Sequence, residues 1–88
     1  MILVTSAEAL KLVHGYASAN RVRFEGHARA RAAQRGASVQ HVMHALRNAT
    51  GCAAGDADRW KVTGPDLDGD SLTAVVLIED GIVVVTVF

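Results

Sequence analysis

Asp80-Gly81 stands between two apolar runs, residues 72–78 and 82–88. An Asp-Gly pair readily takes the positive φ angles that a tight hairpin demands. This dipeptide therefore commits the end of the chain to two antiparallel strands. In the first run Leu72, Ala74, Val76 and Ile78 alternate with Thr73, Val75 and Leu77, and the second is β-branched almost throughout. Upstream, Trp60 and Val62 alternate with Arg59, Lys61 and Thr63. The cluster Gly64-Pro65-Asp66-Leu67-Asp68-Gly69-Asp70 reads as a turn, and Gly51 to Gly55 as a weak first strand. The second half is thus an expected meander of four strands.

The first half has helical texture. Thr5 or Ser6 is placed to cap a helix that carries Leu10, Leu12 and Val13 and runs out through Ala17-Ser18-Ala19-Asn20. Val22 and Phe24 alternate with Arg21, Arg23 and Glu25, which fits a short extended segment before Gly26. Residues 27–35 are rich in the helix formers Ala and Arg, and Gly36 suits a left-handed stop. Ser38 then caps a helix striped with Val39, Val42, Met43 and Leu46. Eighty-eight residues, half of them hydrophobic, are enough for a single domain spanning 1–88. The expected class is α+β, two to three N-terminal helices packed on a four-stranded antiparallel sheet. The last two strands are apolar on both sides, so the face away from the helices is expected to be sheltered in part by a partner subunit, as in a homodimer.

Charge is zero overall but unevenly placed. Residues 1–50 carry a balance of +5 and residues 51–88 a balance of −5. Such a chain either offers a basic surface to a polyanion or uses the asymmetry to hold its own halves together. The single Cys52 has no internal partner and reads as a small hydrophobe in a reducing compartment. The opening MILV has no basic region before it and is too short to span a bilayer, so a cytoplasmic protein with no membrane role is expected.

The stretch GHARARAAQRG carries the chemistry. At about 100° per residue, Arg31 falls about 40° and Arg35 about 80° from His27, so three basic groups share one stripe. Arginine grips phosphate oxygens with a planar fork, and histidine exchanges protons near neutrality. Together they suit cleavage of RNA, whose own 2′-hydroxyl is the nucleophile, without metal or other cofactor. The plainer reading is a solvated helix face paired with the acidic half.

GHARARAAQRGAS, the striped helix after it, and RWKVTGPDLDGDSLTAVVLIEDGIVVVTVF resemble the bacterial family known as domain of unknown function 4258. The matching positions are His27, Ala28, Arg31, Arg35, Gly36 and Ser38, then Val62, Gly64, Gly69 and Leu72, then Val85, Thr86 and Val87, with Ala37 standing where the family has a branched aliphatic. That family is similar to the RelE-like and barnase/EndoU/colicin ribonucleases. The resemblance implies a toxin-like, metal-independent endonuclease held in check by a cognate antitoxin or regulatory protein. It implies His27 as general acid or base, Arg31 and Arg35 on phosphate, and Thr86 as a positioning hydroxyl. Arg59 and Lys61 are further candidate contacts to RNA.

Two other classes fit parts of the chain. One is the same fold without catalysis, binding a protein through a sheet edge or the basic helix. The other is a helix-turn-helix DNA binder, with Ala32, Gly36 and Val42 at the required spacing and Gln40, His41, His44 and Arg47 facing a groove. Asp66 to Asp70 does not make a calcium loop, because Ser71 and Leu77 stand where glycine and glutamate are needed. His41 and His44 lack further ligands at metal spacing, and Trp60 is expected in the core rather than stacked on a base.

Overall fold

The computed structural model describes residues 5–88. The reading of the MILV start falls on residues 1–4, outside that range. Three helices and five strands follow in the order α1 (Ser6–Ser18), β1 (Val22–Phe24), α2 (Gly26–Gln34), α3 (Val39–Arg47), β2 (Gly51–Ala54), β3 (Trp60–Pro65), β4 (Ser71–Ile78) and β5 (Ile82–Val87). The sheet runs β1-β5-β4-β3-β2.

The α+β layout is as expected, but the sheet is not four antiparallel strands. The short extended segment joins it as a fifth strand, parallel to β5, with Val22 opposite Ile82 and Phe24 opposite Val84. Val22 and Phe24 pack on the core, and β5 would otherwise be a bare edge of unpaired backbone groups. Ile82 N–H donates to the Arg21 carbonyl at 2.9 Å as the pairing begins.

Local chemistry sets the helix ends. The Thr5 hydroxyl accepts from Glu8 N–H at 3.1 Å, and the Ser38 hydroxyl accepts from His41 N–H at 3.3 Å. Gly36, at φ +81°, closes α2: its N–H donates to the Ala33 carbonyl, and Ala37 N–H reaches back to Ala32. Ala32 and Ala37 are both buried beside that closure.

All three helices lie on one face of the sheet. Val13 and Ala17 of α1, Ala28 and Ala32 of α2, and Val42, Ala45 and Leu46 of α3 meet Val62, Leu72, Ala74, Val76, Ile82, Val84 and Val87 in one core. Trp60 packs against this core from its edge. The approach is tightest at Gly64, where a Cβ would run into the Ala45 carbonyl and come within 2.9 Å of the Ala49 Cα.

Two details depart from simple ladders. Ile78 pairs with Ile82, so the hairpin closes through Glu79, Asp80 and Gly81 rather than through two residues. Asp80 and Gly81 still take positive φ, 49° and 125°. Farther along, Val76 pairs with Val84 but Val75 with Thr86, so Val85 bulges out of register. That extra residue returns Val87 to the core and turns Thr86 to the outer face beside Val75. No helix of the described residues is long and apolar enough to cross a membrane.

Candidate functional site

α2 is a nine-residue helix that buries only Ala28 and Ala32. Its alanines bring the backbone close to β5, and its larger side chains point away or reach past the helix end. His27 and Arg31 are exposed. Arg31 donates only to the Gln34 side chain, at 3.4 Å. His27 has neither a hydrogen bond nor an ion pair among the described residues.

Arg35 goes elsewhere. Its Nη2 donates to the Ser71 carbonyl at 2.6 Å and its Nε donates to the Phe88 carbonyl. Its Nη1 lies 4.0 Å from Asp66 Oδ2. The guanidinium thus ties the end of α2 to the start of β4, to Phe88 just after β5 and to the β3–β4 turn.

Asp66 organises that turn. It is 5% exposed, and its Oδ1 accepts from Asp68 N–H at 2.8 Å and from Asp70 N–H at 2.9 Å. Burial pushes the carboxyl pKa up, but the Asp70 and Asp68 amides and the charges of His41 and Arg35 outweigh it. The net result lies below the ordinary value. His41 Nδ1 accepts from Leu67 N–H at 3.2 Å and sits 3.8 Å from Asp66 Oδ2. His41, Asp66 and Asp68 bring ligand-type atoms within 4.8 Å of one another. A cation there would have to displace the Leu67 N–H from His41 and stand against the Arg35 guanidinium. The arrangement is that of a latch.

Two further histidines are tethers. His14 Nε2 donates to the Ala49 carbonyl at 2.8 Å, and His44 Nδ1 donates to the Pro65 carbonyl at 2.9 Å. Arg47 donates to the Ala17 carbonyl at 3.2 Å and to the Asn20 side chain. Of the four residues placed in a DNA groove by the helix-turn-helix reading, His41, His44 and Arg47 are thus bonded to the protein itself, and Gln40 is exposed.

The remaining candidates lie on the other side of the sheet. Thr86 pairs with Val75, and Val75 pairs with Lys61, so the three form a row across the outer face. Arg59 precedes core-facing Trp60 and falls on Lys61's side by alternation. The sheet therefore separates His27 and Arg31 from Thr86, Lys61 and Arg59. Asp66, in the sequence a residue of the expected turn, is the one that organises this corner of the fold. Its signal was an aspartate opening a turn with two amides to cap. Compared with protein-family models and with curated proteins, the chain matches none.

Proposed function

We propose that this chain is a non-catalytic binding module that uses the exposed side of α2 to dock an acidic protein segment. What supports this reading is the placement of Arg35: the second phosphate clamp of a ribonuclease site is spent on the protein's own carbonyls and on Asp66. Thr86 lies behind the sheet, so no hydroxyl from that strand faces His27. What remains outside is an alanine floor, Ala30 and Ala33, bordered by His27, Arg29 and Arg31, all of them exposed.

A short acidic segment fits this surface better than a polyanion does. A nucleic acid continuing along α2 toward Arg35 would meet Asp68 and Asp70, exposed on the turn that Arg35 grips. Kinship with the RelE-like ribonucleases belongs to the same proposal, as an ancestry of fold without the activity. Its support is the order of two short helices followed by the β2–β5 meander.

The test titrates the isotope-labelled chain with a glutamate-rich peptide and, separately, incubates it with labelled RNA in chelator. Shifts should cluster at residues 27–34 and weaken at least about tenfold in Arg31→Glu, a loss of about 1.4 kcal/mol. RNA should survive. Cleavage that disappears in His27→Ala, or a peptide that leaves α2 undisturbed, overturns the reading.

A further inference from the structure

We infer that the free edge of β2 is a self-association surface, on which a second copy of this chain pairs antiparallel across a two-fold axis. The phase of the ladder shows which backbone groups are open. Gly55 N–H donates to the Arg59 carbonyl, which marks that pair as hydrogen-bonded. The β2–β3 register continues it, Ala54 opposite Trp60, Ala53 opposite Lys61, Cys52 opposite Val62 and Gly51 opposite Thr63. Hydrogen-bonded and non-bonded pairs alternate in an antiparallel ladder, so Ala53 and Gly51 face β3. Cys52 and Ala54 turn their N–H and C=O groups outward. No other backbone bond reaches these two residues among those described.

Proteins usually guard such an edge with charge, proline or a covering element. The opposite edge of this sheet has charge, with Arg21, Arg23 and Glu25 on and beside β1. Among the described residues the β2 strand itself has none of these, only Gly-Cys-Ala-Ala, with Ala53 and Ala54 exposed. Burial pushes the Cys52 thiol pKa up, so the thiol side chain adds no charge there.

The flanks say what fits. No carboxylate occurs between Glu25 and Asp56, so the entry to β2 follows Arg47, held by the Ala17 carbonyl and Asn20, while the exit turn carries Asp56 and Asp58 against Arg59 alone. An antiparallel second copy sets the acidic exit of each protomer beside the basic entry of the other and keeps the two acidic turns at opposite ends. Centring the axis on Ala53 places Cys52 opposite the partner's Ala54. Each open N–H then meets an open carbonyl.

Pairing at this edge is independent of what α2 binds. The experiment is sedimentation equilibrium of the full chain up to about 0.5 mM, which reaches sub-millimolar association, with Ala54→Pro and Ala53→Lys alongside. Proline at 54 removes an outward N–H and leaves the β3 bonds in place. The chain should dimerise, and both variants should be monomeric with unchanged melting temperatures. A double variant, Cys52→Ser with Ala53→Cys, should form a covalent dimer under mild oxidation, because the two residues at 53 would face each other across the axis at a distance a disulfide can bridge. A monomer throughout, or a dimer that Ala54→Pro leaves intact, overturns the inference. So does a double variant that fails to cross-link although the parent dimerises and the proline variant does not.

Discussion

Arg35 shows how one residue type serves two chemistries according to what lies within its reach. The spacing from His27 and Arg31 pointed to phosphate, since helical periodicity places all three on one stripe. Only the fold reveals that the β3–β4 turn and the Phe88 carbonyl come within reach of the third. Replacing it by alanine should cost about 2 kcal/mol, because the Ser71 and Phe88 carbonyls lose a charged donor. His27→Ala, by contrast, should leave the melting temperature unchanged. Asp66 adds a pH dependence whose sign follows from its lowered pKa. Its stabilising contribution is complete above the unfolded carboxylate value, about 3.9, and is lost as pH falls through the lower folded value. The melting-temperature deficit of Asp66→Asn should therefore be full at pH 6 and shrink as the pH falls below the ordinary carboxylate range. A deficit that stays constant with pH would show that the carboxylate charge is not what matters. In the sequence Asp66 differs from Asp68 and Asp70 only in opening the turn; its burial depends on α3 docking above that turn, which no local pattern shows.

Among the elements, those with a local signal were legible in the chain. Thr5 and Ser38 cap, Gly36 stops, and the alternation from Leu72 to Ile78 makes a strand, because each depends on neighbours a few residues away. The partnership of β1 with β5 was not legible, since it joins Val22 to Ile82 across most of the chain. The Val85 bulge was equally hidden, and it decides on which side of the sheet Thr86 lies. Gly64 marks the closest meeting of elements. A methyl there would overlap the end of α3, so Gly64→Ala should destabilise by about 3 kcal/mol, measured by urea titration. A cost near zero would mean that α3 slides readily over β3. Gly36→Ala should cost less, about 1 kcal/mol, because only the left-handed backbone is strained and space is open.

For the molecule as a whole, part of the split of charge is taken up by contacts within the chain. Each ion pair of an arginine among the described residues joins a base from the first half to an acid from the second, Arg21 to Asp80 and Arg35 to Asp66, with His41 beside the latter. The +5 and −5 halves thus meet at a few points within the fold, and the outer side of α2 keeps His27, Arg29 and Arg31 exposed. Raising salt from about 0.02 to 1 M should lower the melting temperature by a few degrees, since the Debye length shrinks to about 3 Å. A rise would mean that repulsion within the halves outweighs attraction between them. On the proposed reading Arg35 belongs to the scaffold rather than to a ligand site, and a double-mutant cycle between Arg35→Ala and Asp66→Asn tests this most directly. Each variant should melt earlier than the parent, and the pair together should lose less than the two separate losses combined. A chain that melts unchanged without Arg35, or losses that simply add, would contradict it and return the guanidinium to an external anion.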